Sequence, residues 1–420
     1  MLNDPFQYRK GKLSCDDVDL QSLAHEYGTP AYIYSKRAIE SRFREYTAAL
    51  NGIKSHVCFA VKANSNLTVL NTLAGMGAWF DIVSGGELYR VLSAGGLAEN
   101  VVFSGVGKTA GEIRYALERG ISGFNCESEF EIELISQIAT SMGRRASIAV
   151  RVNPDVDAVT HPYISTGLRE HKFGVDIDAA EQIYQRAAQL PGIDVTGVSC
   201  HIGSQLLDIE PLIEAADKTL ALVGKLRAQG LPIRHLDLGG GLGVSYRPGD
   251  TPTAVSALID QLRPRLQNTD LTLMLEPGRS IVAEAGILLT RVLLIKKNGE
   301  KTFVIVDGGM NDLIRPALYQ AYHEIVPVLQ PSTQEEFTTD IVGPVCESGD
   351  FFARGRSMPP LEPGALLAIR TAGAYGFVLA SNYNTRPRVC ELVIDGTQVV
   401  VARKRESYED LIRGEQCILV

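Results

Sequence analysis

The chain has 420 residues, a formal net charge of −8, 45% hydrophobic and 21% charged residues. Such a composition belongs to a globular protein with room for two cores, and its acidic balance excludes the clustered positive charge of a nucleic-acid or anionic-membrane surface. The cysteines at 15, 58, 126, 200, 346, 390 and 417 are odd in number and lack CxxC spacing, so they read as reduced thiols and argue against structural zinc.

The opening stretch, "MLNDPFQYRKGKLSCDDVDL", has no apolar signal core, and nowhere do about 18 uninterrupted apolar residues occur, so a cytoplasmic location without membrane contact is expected. From about residue 56 to 280 one pattern repeats: a short apolar run, a turn, then a segment of helical periodicity. The runs are "HVCFAV", "AWFDIV", "NVVFSG", "ISGFNC", "SIAVRV", "VTGVSCHI", "RHLDLGG" and "LTLMLEP". Between them, segments such as "NLTVLNTLAGMG", "GGELYRVLSAGG" and "SEFEIELISQIATSMG" carry apolar residues every three or four positions and often end in glycine. Eight such repeats predict an α/β chain with a (β/α)8 TIM barrel over 35–280; an open doubly wound sheet is the alternative. Residues 281–420, with 1–34, predict a mostly antiparallel β domain, sandwich-like or barrel-like, with a helical stretch near 313–323 and hairpin turns at "NGEK" and "IDGT".

In a barrel of this kind chemistry sits where the strands end in loops. Those positions hold Lys62, Asp81, Ser84, Arg151, Asn153, His201 and Ser204, followed by "GGGLG" (239–243) and "EPGR" (276–279). A lysine closing an apolar run can simply mark the exit to solvent, the glycines can serve a tight turn, and a lone histidine can be structural. Together they also match a site for a small phosphorylated cofactor: backbone without Cβ lets N–H groups approach an anion, with Ser204 and Arg279 beside it. One lysine with one phosphate site points to pyridoxal phosphate held as a Schiff base, which needs an anion at the pyridine nitrogen and a residue over the ring. Lys62, Glu276 and His201 are the candidates.

"FAVKAN", "DIVSGGEL", "HKFG", "HIGSQ", "LDLGGG", "EPGR", "GPVCESGD" and "GAYG…SNYNTRPR", in this order, resemble the diaminopimelate branch of the barrel-type (fold type III) pyridoxal phosphate decarboxylases, from "YGTPAYIY" to "RKRESYEDLI". The resemblance implies that Lys62 bonds the cofactor, His201 stacks on its ring and Glu276 pairs with its nitrogen. Asp81, Ser204, Gly240, Gly241, Gly278, Arg279 and Tyr375 are implied to complete the cofactor site. It further implies that Arg279, Arg315 and Tyr319 bind the distal carboxylate of an amino acid substrate, that Tyr375 also touches the substrate, that Glu347 binds its distal ammonium, and that Cys346 is a proton donor.

Cys346 and Glu347 are implied to serve the neighbouring subunit's site in a homodimer. The implied reaction is decarboxylation of meso-2,6-diaminopimelate to L-lysine and CO2, the last step of lysine biosynthesis. An ornithine, arginine or carboxynorspermidine decarboxylase on the same scaffold is the alternative. A barrel-type racemase would carry arginine where Glu276 stands, and a non-catalytic relative would have lost Lys62, His201 or Cys346. The polar stretch 153–174 is the candidate lid.

Overall fold

The computed structural model describes residues 4–156, 172–332 and 335–418. The eight apolar runs form eight parallel strands: Ser55–Ala60, Trp79–Ile82, Val101–Phe103, Gly123–Cys126, Ala146–Asn153, Ile193–Cys200, His235–Asp237 and Thr272–Leu275. Each pairs with the next, and Leu275 stands opposite Val57, so the sheet closes on itself and leaves no edge. A two-residue strand, Val175–Asp176, adds in parallel beside Asn153. The open-sheet alternative is thereby excluded.

Side-chain caps fix where the strand-end loops turn into helices. Asn66 accepts from the Thr68 N–H to start Leu67–Gly75, Ser84 from Glu87 to start Gly85–Ser93, and Ser128 from Glu131 to start Glu129–Ser141. Thr109 and Glu112 form a reciprocal capping box on Ala110–Arg119. Ser84, read from the sequence as a rim residue, is therefore occupied as a cap. Asn153 likewise closes a turn by accepting from the Asp155 N–H at 3.2 Å.

The chain divides into two compact units: Arg42–Val244 with Thr251–Ile281 contains the barrel, and Met1–Ser41, Ser245–Asp250 and Val282–Val420 form a β-rich unit. In the second, the 13-residue strand Gly286–Asn298 pairs antiparallel with Ala31–Ser35 and Leu366–Ile369 through its first half and with Lys301–Val306 through its second. Phe337–Val342 and Phe351–Met358 extend the sheet on one side, Cys390–Asp395 and Gln398–Arg403 on the other. Two joins are parallel and the rest antiparallel, over a core that includes Leu13, Leu20, Ile33, Ile287, Leu289, Ala368 and Leu392. Both expected hairpins form, with Gly299 (φ 61°) and Gly396 (φ 64°) in the left-handed region.

The helix expected near 313–323 is shorter, Arg315–Tyr319. Pro316 suits its first turn, and Gln320, left-handed at φ 52°, ends it. Most of the candidate lid, 157–171, lies outside the described residues. Among the described residues no helix is long and apolar enough to cross a membrane.

Candidate active site

Lys62 follows the first barrel strand in a short 3-10 turn, Val61–Ala63, and its Nζ lies 2.7 Å from Asp81 Oδ2 at the end of the second strand. Asp81 is fully buried, while the lysine side chain is 38% exposed, so a buried acid holds the amine of a side chain that still reaches solvent. The other oxygen, Asp81 Oδ1, is buried without a hydrogen-bond partner. Leaving such an atom unpaired costs on the order of 1–3 kcal/mol, which marks the position as one kept for more than folding.

The following strand ends build a cradle around this pair. Gly240 N–H donates to His201 Nδ1 at 3.2 Å, so that nitrogen is the acceptor and carries no proton. Burial, with the nearby charges of Arg151 and Lys62, holds the His201 imidazole well below its usual pKa and therefore neutral. Arg151 fixes the same residue from its backbone side, donating to His201 O at 3.3 Å while paired with Glu127 at 2.9 Å. Arg279, almost wholly buried, donates to Ser204 Oγ at 3.1 Å. A Cβ on Gly240 would come within 2.3 Å of Glu276 O, and one on Gly278 within 2.8 Å of the Ala63 Cβ. Only glycine fits at these two positions.

Beneath the cradle lies a network in which Asn125 and Asp237, neither of them a sequence candidate, join Glu276. Asn125 Nδ2 reaches Asp237 Oδ2 at 2.9 Å and Glu276 Oε1 at 3.2 Å, and Asp237 Oδ1 accepts from the Gly239 N–H at 2.9 Å. Asp237 thus ties the buried Glu276 carboxyl to the first glycine of the cradle. Burial and the neighbouring acids Asp237 and Asp81 push Glu276 well above the ordinary carboxylate range, and burial likewise raises Asp237. Two facing buried carboxyls hold a proton between them more readily than two negative charges. Within "RHLDLGG", Asp237 was a carboxylate inside an otherwise apolar run, which was the available signal.

The remaining candidates belong to the β-rich unit. Arg315 is buried at the start of its short helix and Tyr319 is half-buried at the end. Cys346 and Glu347 occupy an exposed turn before Phe351–Met358, where the Cys346 N–H donates to Asn384 Oδ1 at 2.7 Å and Glu347 Oε1 accepts from the Gly349 N–H at 3.3 Å. Tyr375 is left-handed at φ 54°, a strained conformation for a bulky residue and a frequent mark of functional positions.

The donor set fits pyridoxal phosphate: an amine on a buried acid, a proton-retaining carboxyl pair, a neutral imidazole, and glycines beside Ser204 and Arg279. Comparison with known proteins agrees. The model of the pyridoxal-dependent decarboxylase family, pyridoxal binding domain, matches residues 36–283. The chain is 55% identical to the diaminopimelate decarboxylase of Pseudomonas fluorescens, with 99% of each chain covered. It is 51% identical to that of Vibrio cholerae serotype O1, covering 97% of this chain and 98% of the other. Among solved structures it resembles the diaminopimelate decarboxylase of Helicobacter pylori complexed with L-lysine, at a TM-score of 0.90 and 46% identity, over 94% of this chain and 98% of that one.

Proposed function

We infer the reaction from one premise: the chain belongs to the pyridoxal-dependent decarboxylase family. It acts as a pyridoxal 5'-phosphate-dependent decarboxylase of meso-2,6-diaminopimelate, releasing CO2 and L-lysine in lysine biosynthesis. The observation that carries the mechanism is Lys62, held on Asp81 in the strand-end ring that also contains Glu276.

When bound, the cofactor supplies the sink for the electron pair left by the departing carboxylate. Lys62 offers the amine that holds it, and Asp81 keeps that amine in place. Glu276, steadied by Asn125 and Asp237, would keep a proton available to the cofactor's ring nitrogen. His201, neutral, would hold the ring plane without adding charge. Gly240, Gly241, Gly278, Ser204, Arg279 and Tyr375 would hold the phosphate. Arg279, Arg315 and Tyr319 receive the distal carboxylate, for which a guanidinium fork is the matching shape, and Tyr375 also touches the substrate. Glu347 receives the distal ammonium, and Cys346 returns a proton to the carbon that lost CO2.

We assign the working form to a cytoplasmic homodimer in which Cys346 and Glu347 complete the partner's site. Mixing inactive Lys62→Ala and Cys346→Ala chains then restores roughly a quarter of wild-type activity, because random pairing rebuilds one intact site in half of the dimers. No restoration, with dimers shown to exchange, overturns the sharing. The reaction itself is tested on wild type and Lys62→Ala by visible absorbance of the bound cofactor and by CO2 release from meso-diaminopimelate, ornithine and arginine. Release from diaminopimelate alone, with both signals lost in the variant and kcat down on the order of a thousandfold or more, supports the assignment. Turnover of ornithine or arginine instead moves the substrate.

A further inference from the structure

We propose that His323 is the positioning residue that sets Arg315 for the substrate's distal carboxylate, and that it does so as the neutral imidazole carrying its proton on Nδ1. The inference rests on the reading of Arg315 given above. His323 was not among the sequence candidates. It lies four residues beyond Tyr319, is 0% exposed, and touches both Arg315 and the strand end at Arg370.

The tautomer follows from donor and acceptor chemistry. His323 Nδ1 lies 2.8 Å from the Arg370 carbonyl oxygen, which can only accept, so Nδ1 donates. Nε2 lies 3.0 Å from Arg315 Nη1, which can only donate, so Nε2 accepts. A second proton on the ring would set one N–H against another. The imidazole must stay neutral for the contact to exist.

The surroundings make this an orienting device. Arg315 Cζ stands 4.6 Å over the Tyr246 ring, and Tyr246 meets His323 edge-on at 5.3 Å and 82°. The guanidinium plane is therefore set by an aromatic face and a ring nitrogen, both uncharged. Arg356 holds the histidine from behind, its Nη1 donating to His323 O at 3.0 Å while its guanidinium stacks on Tyr322 at 4.0 Å. An imidazole acceptor fixes direction and itself brings no negative charge to the arginine. A carboxylate in its place would compete with the substrate's own carboxylate for the same charge. His323 thereby contributes to the preference for an amino acid with a carboxylate at its far end.

The test compares holoenzymes of wild type, H323F, H323Q and R315Q. For each, KM and kcat for meso-diaminopimelate are measured, with inhibition constants for L-lysine, which retains the distal carboxylate, and cadaverine, which lacks it. H323F is expected to raise KM and the lysine inhibition constant roughly tenfold, with a smaller change in kcat and none in cadaverine inhibition or cofactor absorbance. H323Q, whose amide oxygen can accept from Arg315, is expected to recover most of the loss. If H323F does not fold, H323N replaces it, because asparagine keeps a donor toward Arg370 O but is too short to reach Arg315. Equal weakening of lysine and cadaverine overturns the proposal, as does unchanged lysine inhibition in H323F or H323N when R315Q has lost it. Unchanged lysine inhibition in R315Q overturns the reading of Arg315 on which the proposal rests.

Discussion

At the N-terminal end of the barrel His235 lies across Gly197, where an added Cβ would fall 2.0 Å from its Nε2, and the His56 ring stacks on Trp79 with centroids 3.7 Å apart. At the opposite end of the same strands Asp81, which holds the Lys62 amine, is buried near Asp237 and Glu276. Both ends bury a histidine that burial lowers, His235 at one and His201 at the other, but the second also confines acids together, and these shift upward. Burial, helped by Arg234 and His56, lowers His235 from 6.5 to about 4, so it is uncharged at neutral pH and packs as an aromatic plate. Burial raises both Glu276 and Asp237, and repulsion from Asp237 and Asp81 pushes Glu276 up further, so the pair holds on to a proton. An enclosed histidine that simply discharges is compatible with packing alone. Acids confined together are a cost that packing does not require, and such clusters collect at functional ends. Asn125 joins the two regions, lining the cavity of about 220 Å³ that His56, Trp79 and His235 border while donating to the carboxyl pair.

Glu276→Gln gives the largest contrast. It should lower kcat/KM on the order of a hundredfold to a thousandfold, and a loss below about threefold would remove Glu276 from the mechanism. The same variant separates the ends by pH. A carboxyl whose folded pKa is raised above 4.5 contributes stability that is fully present below 4.5 and lost as pH climbs toward the raised value. Urea midpoints of the cofactor-stripped protein should therefore fall less steeply on the alkaline side in Glu276→Gln than in wild type.

Trp79→Ala, at the other end, should cost about 2–4 kcal/mol of stability through the lost stacking and volume, read as a lower thermal midpoint with kcat nearly unchanged. A large fall in kcat would mean that the ends are coupled through Asn125. The smallest effect is expected for His235→Asn. A histidine lowered from 6.5 to about 4 contributes stability present above 6.5 and lost as pH falls through 4. The variant should therefore lose less stability than wild type over that acid interval, with activity retained; an unaltered acid limb would show that His235 is not titrating there.

How much was legible beforehand differs residue by residue. The barrel strands were readable because both their faces are buried, which writes near-continuous apolar runs into the chain, and the hairpins because Gly299 and Gly396 adopt conformations that favour glycine. Lys62, His201, Glu276 and Arg279 stood at strand ends, positions that periodicity alone can locate. Asn125, Asp237 and His323 could not be selected that way, because each matters through a partner far along the chain: Asn125 donates to a carboxyl 151 residues away, and His323 donates to a carbonyl 47 residues away.

The sequence by itself thus determined the alternation that builds the barrel, the lysine and glycines at its strand ends and the family that these motifs mark, since all of these are local patterns of residue type and spacing. Only the tertiary structure decided which acids Asn125 brings together, which nitrogen of His201 accepts, and that Arg315 leans on a buried imidazole. Those outcomes depend on distance, burial and donor direction, which arise when segments remote in the chain are folded against one another.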